Sequence, residues 1–515
     1  MPHEDYDDLR SNRAGSEKNL ALGMSPTGIE MRRRSTARGK GFAAIAAAAL
    51  LVSGCANLPS ANRQVSLPDP PPQAEAASPA QREHARILGA YGGSYENPRL
   101  EASIQQTVEK LVSASERPDL RYRVTILNSP AINAFALPTG NLYVTRGLLA
   151  LASDNAELAS VLSHEMAHVI ARHAATREDQ ARQAAIVSRV VTDVLNDPQM
   201  GALALAKSKI ALASFSRAQE LEADSIGVKL AARAGYDPYG ATRFLTAMGR
   251  NSGLKPSNPA GADARLVEFL SSHPATPDRV KNAMAAARQH SAPGPGARDR
   301  NGYLAAIDGL TFGEDPSEGF VRGRRFLHPK LGFTFTAPEG YSLDNTAQAV
   351  LGIKDGGGQA LRVDVVRVPA EQSLASYLNS GWIERVEPGS IQDLAVNGFP
   401  AATATATGEQ WSFRLYVIRF GSDVYRFVFA AKNRAGEADR AFRASIDTFR
   451  RLTSSEIAQA RPLRLRSVMV QNGDTVERLA ARMSTDRKVE RFLVLNGLAA
   501  GQRLTPGDQV KIVVE

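Results

Sequence analysis

The sequence predicts a multidomain chain: a mainly α-helical domain with a small β-sheet, then an α+β domain, then a small βααβ unit. Three observations predict it. The chain has 515 residues, more than one hydrophobic core usually serves. Between residues 81 and 290 apolar residues recur at spacings of three and four, the period of a helix packed on one face. After the Pro/Gly-rich break "SAPGPGARDRN", a linker placed at 291–314, the texture becomes the two-residue alternation of strands. The net charge of +9 is spread along the chain rather than massed on one segment. No nucleic acid partner is therefore expected, and a negatively charged envelope surface suits the balance. The single cysteine excludes an internal disulfide framework and any cysteine-rich metal site.

Residues 1–54 read as an N-terminal extension and signal segment. The first 30 carry no fold signal, and Met24 or Met31 are alternative starts. "MRRRSTARGKG" is a basic stretch, "FAAIAAAALLV" an apolar run, and "VSGC" closes it. The run is shorter than the roughly 20 residues a spanning helix needs. This arrangement resembles the lipobox of bacterial lipoproteins, which implies a lipid on Cys55 and a mature N-terminus there; an uncleaved anchor helix is the alternative. Ala56, where an Asp would direct retention at the inner membrane, implies the outer membrane by the same resemblance. Residues 55–80 are rich in Pro, Ala and Ser and read as a solvated tether.

Within 81–290, "RLEASIQQTVEKLVSAS" has helical spacing, and "RYRVTILNSP" and "NLYVTRG" are strand-like runs flanking a turn at "LPTG". Asp154 with Glu157 three residues later is a capping-box-like helix start. "NAELASVLSHEMAHVIARHAA" then runs without Gly or Pro, so His164, Glu165 and His168 share a helix. Their spacing puts the two imidazoles one turn apart on one face, where both reach the same ion. A divalent cation there lowers the pKa of a water molecule to about 7, and a neighbouring carboxylate can take its proton as it attacks a carbonyl. Glu165, adjacent to His164, is placed for that work.

A third ligand must come from elsewhere. "SRAQELEADSIGVKLAARAGYDP" reads as a helix with Glu220 and Asp224 on one face and Glu222 on roughly the opposite side. One of Glu220 and Asp224 can bind the ion while the other orients a histidine ligand. Between the two segments, an Ala-rich stretch reads as a lid over the cleft or as plain scaffold helices. His84 and His173 have no partner visible in the sequence and read as surface residues.

"HEMAH" followed by "ELEAD" resembles H-E-x-x-H followed by E-x-x-A-D, the signature of the HtpX/BepA family of gluzincin metallopeptidases. "NAFALPTG" and "SSHPATPDRV" are similar to two further motifs of that family, so the resemblance spans Asn133 to Arg279. It implies a zincin-type peptidase domain over 81–290 and one Zn2+ per chain. His164, His168 and Glu220 would be the ligands, Glu165 the general base and Asp224 the residue orienting a ligand. His273 and Arg279 would line the cleft, and either could stabilise an oxyanion. His273 could instead take the open position on the metal and hold the site latent. Asn133 to Leu137 would form an edge strand beside the metal, able to pair with a substrate backbone.

Residues 315–455 form the expected α+β domain, with strands in "LGFTFTAPEGYSL", "ALRVDVVRV" and "FRLYVIRFGSDVYRFVFAAK" and a helix in "EADRAFRASIDTF". His328 in "FLHPKLGF" reads as part of a turn. Residues 464–515 resemble a LysM module through Gly473-Asp474-Thr475, Asn496-Gly497-Leu498 and Pro506-Gly507, with Val468-Met469-Val470 replacing the usual aromatic opening. That resemblance implies contact with peptidoglycan. The function expected is a zinc metalloendopeptidase acting on unfolded, misassembled or stalled cell-envelope proteins, anchored facing the periplasm. The alternative is a membrane-tethered chaperone or peptidoglycan-associated binding protein with a latent metal site.

Overall fold

The computed structural model describes residues 78–179, 182–183, 215–254, 273, 276–291 and 296–515, except 355, 384, 409 and 433–435. The signal segment, Cys55, nearly all of the tether and most of the stretch read as a lid lie outside the described residues. No helix among the described residues is long and apolar enough to cross a membrane.

Helices α1 (Pro79–Ala90) and α2 (Pro98–Ala114) each open on a proline, capped by Ser78 and Asn97. Proline is tolerated there because the first helical N–H has no partner within the helix. Leu100, Ile104, Val108 and Leu111 form the buried stripe of α2. It lies against a three-stranded sheet of β1 (Arg123–Leu127), β2 (Ala134–Ala136) and β3 (Asn141–Thr145). The order is β1-β3-β2, with β1 parallel to β3 and β2 antiparallel to it. The turn at "LPTG" thus joins β2 to β3 rather than the two longer strand-like runs, and Gly140 takes a left-handed φ of 87° there. The outer edge of β2 has no strand partner among the described residues.

After α3 (Arg146–Leu151) comes α4 (Asn155–Ile170), the central helix, whose residues Ala156 to His168 are all buried. Asp154 caps it by accepting from the Glu157 amide at 2.8 Å. The expected reciprocal bond differs: the Glu157 carboxylate accepts from the Ser153 amide at 2.9 Å, one residue earlier. Arg243 and Arg298 neutralise Asp154, and Arg243 also reaches Glu157. Packed on α4 are α5 (Arg217–Arg233) and α6 (Gly240–Ser252), with α7 (Pro277–His290) against both of these and α8 (Arg300–Ala306) following. Two small residues permit this closeness. A Cβ at Gly240 would stand 2.4 Å from the Ala156 carbonyl oxygen, and one at Gly227 3.0 Å from the His164 amide nitrogen.

Beyond β4 (Thr311–Phe312) lie β5 (Phe320–Arg322), β6 (Arg325–His328), β7 (Phe333–Thr336), β8 (Tyr341–Asn345), β9 (Val350–Lys354) and β10 (Gln359–Arg367). Then come α9 (Leu374–Leu378), β11 (Gln392–Val396), β12 (Phe399–Thr407), β13 (Ser412–Phe420), β14 (Asp423–Ala431), α10 (Gly436–Ile446), β15 (Arg450–Arg451) and α11 (Ser454–Gln459). They build a seven-stranded antiparallel sheet, β11-β12-β13-β14-β10-β9-β8, and a four-stranded one, β15-β7-β6-β5. The alternation in β13 shows why both faces of the large sheet are buried. Tyr416 and Ile418 join one core with Phe442 of α10, while Leu415 and Val417 join another with Leu378 of α9. His328 ends β6 and its carbonyl accepts from the Gly332 amide, closing the expected turn.

The chain ends as β16 (Leu463–Met469), α12 (Val476–Ala481), α13 (Lys488–Leu495) and β17 (Gln509–Val514), the expected βααβ order. Its strands pair with each other, and β16 also pairs with β4. Leu465, Leu479, Phe492 and Ile512 belong to the same continuous core as Leu149, Leu158 and Tyr303 of the helical region. Lys511, buried, donates from Nζ to the carbonyls of Ala150, Leu151 and Ala152 at 2.8, 3.1 and 2.6 Å. These are carbonyls left unpaired where α3 ends, where a cation also faces the negative end of the helix dipole. Burial, opposed by Glu157 and Asp154, brings this ammonium down to about 7.

Candidate metal centre

Helix α4 projects His164 and His168 from one face, and α5 brings Glu220 opposite them. The Nε2 atoms of the two histidines are 3.1 Å apart, and each lies 3.5 Å from a Glu220 carboxylate oxygen. His273, which precedes α7, adds a fourth donor: its Nδ1 is 2.8 Å from Glu220 Oε1 and 3.4 Å from His164 Nε2. One atom from each of these four buried residues lies within 4.8 Å of all the others.

Three of these residues, His164, His168 and Glu220, make further polar contacts. His164 turns Nδ1 to Asp224 Oδ1 at 3.0 Å. Arg279 grips both oxygens of Asp224, at 2.8 and 2.7 Å, and reaches Glu220 Oε2 at 2.8 Å. The guanidinium offered by the resemblance as an oxyanion donor thus holds two carboxylates in place. His168 is clamped by Phe215, whose ring stacks on it at 3.9 Å between centroids. Its Nδ1 meets His173 Nδ1 at 2.9 Å.

Electrostatics follow from this crowding. Burial opposes a charge on His164, yet its bonds to Asp224 and Glu220 raise it to about 9. Burial and the neighbouring His164 push His168 far below the usual histidine range. Burial works against ionised Glu220 and Asp224 too, but His164 and His273 hold the first low, and Arg279 with His164 the second. Glu165 is different: burial raises its carboxyl, and its buried Oε1 has no hydrogen-bond partner.

This environment fits a divalent cation. With their protons on the outer Nδ1 atoms, the two buried imidazoles present Nε2 lone pairs 3.1 Å apart beside a carboxylate, three donors converging on one point. Histidine nitrogens with one carboxylate oxygen are a zinc donor set. Glu165, next in sequence to a donor yet outside the cluster, keeps a free basic oxygen.

All the expected site residues therefore meet: His164, His168 and Glu220 in the cluster, Asp224 behind His164, His273 among the donors and Glu165 alongside. The two histidines read as partnerless surface residues both have partners, though His84 is only half-buried. His84 bonds the Tyr143 hydroxyl at 2.8 Å, and His173 is buried against His168. An uninterrupted α4 would carry His173 away from His168, five residues apart on a helix. Instead α4 ends at Ile170, and Arg172 takes φ 58°, turning the chain so that His173 folds back. No Gly or Asn marks that break, so no residue type signals it. Gly227 was missed as well. Replacing it with Ala should destabilise the fold by about 1–3 kcal/mol through overpacking, despite alanine's better helix propensity. Thermal unfolding of Gly227→Ala checks this; an unchanged midpoint would mean the helices separate freely.

The geometry thus brings together a buried His/Glu cluster able to hold a metal ion and a neighbouring carboxylate. Comparison with known proteins agrees: residues 98–287 match the family model of Peptidase family M48. That stretch is similar to the peptidase domain of that family. "Mitochondrial metalloendopeptidase OMA1" of Arabidopsis thaliana is 33% identical over 33% of this chain and 32% of its own length. "Beta-barrel assembly-enhancing protease" of Escherichia coli is 31% identical over 38% of this chain and 40% of its own. The OMA1 protein of Schizosaccharomyces pombe is 28% identical over 39% and 58%. The match thus covers less than two thirds of each relative. Among solved structures, cyanobacterial PsbP aligns with 25% of this chain and 91% of its own at 14% identity, with a TM-score of 0.20 that supports no structural inference.

Proposed function

We propose that the protein is a zinc-dependent metalloendopeptidase that hydrolyses peptide bonds of misfolded or stalled cell-envelope proteins. The observation that carries this is the convergence of His164, His168, Glu220 and His273 within 4.8 Å, with the Glu165 carboxylate beside them, its Oε1 without a hydrogen-bond partner among the described residues. Zinc, when bound, supplies Lewis acidity to the hydrolytic water and to the scissile carbonyl. Glu165 takes the proton as water adds to the carbonyl carbon, and delivers it to the amide nitrogen as the C–N bond breaks. Its raised affinity for protons suits it to both steps. Asp224 and Arg279 keep His164 and Glu220 from rotating. The outer edge of β2, next to α4 and without a strand partner among the described residues, supports recognition of an extended substrate through its main chain, and hence broad specificity. The position of His273 supports a latent resting arrangement in which it completes the donor set until substrate displaces it. From there its imidazole can donate to the developing oxyanion.

The substrate class rests on the relatives' names and on fold-level analogy. With it go a lipid anchor at Cys55 and a periplasm-facing place at the outer membrane. The alternative, a wall-bound adaptor or chaperone with a spent site, gains less support. The C-terminal unit has a groove of about 520 Å³ lined by Asp474, Thr475, Glu477, Gln502 and Arg503 among others, but no aromatic side chain lines it for sugar stacking. The test is cleavage of unfolded casein by the purified chain, with zinc measured in parallel. We expect near one zinc per chain, loss of cleavage on chelation, and its return with added zinc. Cleavage indifferent to chelation would overturn the reading.

A further inference from the structure

We propose that His173, held by Glu222, is a positioning residue that fixes the ring and tautomer of the metal ligand His168. The inference rests on the metal reading above. His168 presents Nε2 to the cluster, 3.1 Å from His164 Nε2, and Nδ1 to His173 Nδ1 at 2.9 Å. The far nitrogen of His173, Nε2, lies 3.3 Å from Glu222 Oε2. If His168 gives its Nε2 lone pair to a cation, its proton sits on Nδ1. His173 Nδ1 must then accept, which places the His173 proton on Nε2, facing Glu222. Only one assignment of protons satisfies all three groups, and the cation selects it.

The arrangement parallels that of the other ligand. His164 turns its outer nitrogen directly to the Asp224 carboxylate. His168 reaches its carboxylate through an intervening imidazole. The His173 ring is buried at 4% exposure, whereas the Glu222 side chain is 59% exposed. The relay therefore runs from the metal cluster to the surface. The chain adopts a left-handed φ of 58° at Arg172, a conformation unfavourable for a non-glycine residue, where it turns to place His173. Outer partners of metal-bound histidines typically change metal affinity by about 10- to 100-fold when removed.

The experiment measures affinity of the metal-free full chain for zinc by competition with a chromogenic chelator, and the visible spectrum of the Co(II) form. His173→Phe keeps ring volume but offers no acceptor; His173→Asn keeps an acceptor near the Nδ1 position. We expect His173→Phe to weaken zinc binding by about 10- to 100-fold and to alter the Co(II) bands. His173→Asn should restore both most of the way. Equal affinity in wild type and His173→Phe would overturn the proposal. So would an equal loss in both variants with a lowered unfolding midpoint of the metal-free protein, since that marks a packing role. A wild type that binds no zinc would instead sink the metal reading itself.

Discussion

Glu165→Gln should lower kcat on unfolded casein by about 10²- to 10⁴-fold, the range that general acid–base catalysis contributes. Zinc content and the unfolding midpoint should stay at wild-type values. The substitution is nearly isosteric, and Glu165 lies outside the donor cluster, so the metal set is untouched. A glutamine amide cannot accept the proton released as water attacks. Stability should change little, because Glu165 Oε1 has no hydrogen-bond partner among the described residues to lose. Removing the burial cost of an ionised carboxyl can even raise it slightly. KM should change little, since the group acts on the reacting water rather than on the chain of the substrate. Equal cleavage by wild type and variant would remove Glu165 from the mechanism. A variant that has lost its zinc would show instead that Glu165 supports the metal.

The spacing of His164, Glu165 and His168 was legible because a helix converts sequence distance into direction: four residues are one turn. Glu220 and Asp224 obey the same rule on α5, but nothing local says that α5 packs on α4. That contact depends on Gly227, a single missing side chain, and was reachable only through family resemblance. His173 escaped notice because periodicity presumes the helix continues, and the break at Arg172 carries no compositional mark. The parallel β1–β3 pairing was hidden for a similar reason. Strand patterns fix which face is buried but leave open which strand is the neighbour, and a turn between two runs suggests a hairpin that the chain does not form.

The C-terminal unit poses the same difficulty at larger scale. Its βααβ order and turn residues were readable, whereas its attachment was not, because core residues look alike whichever core they join. Its removal should therefore have the second large effect. A chain ending after Gln459 should fail to fold cooperatively, read as loss of a single thermal transition and as rapid digestion of residues 98–287 by protease. Leu465, Leu479, Phe492, Leu495, Ile512 and Val513 share one core with the helices that carry the metal centre. Each buried side chain of this kind is worth about 1.5–3 kcal/mol. If only half of them face the helical region, the loss is roughly 5–9 kcal/mol on that scale, comparable to a whole domain's margin of about 5–15 kcal/mol. Polar losses add to this. Without Lys511 the carbonyls of Ala150, Leu151 and Ala152 lose their donor, and without Gln509 and Asn496 two of the groups that Arg300 reaches disappear. Helix α4 starts at Asn155, so His164 stands nine residues, about 14 Å of helix, from this junction. Loosening the junction would free the N-terminal end of the very helix that presents the metal ligands. A truncated chain that kept its transition, its zinc and its cleavage would show that the C-terminal unit is an appendage, with a core of its own.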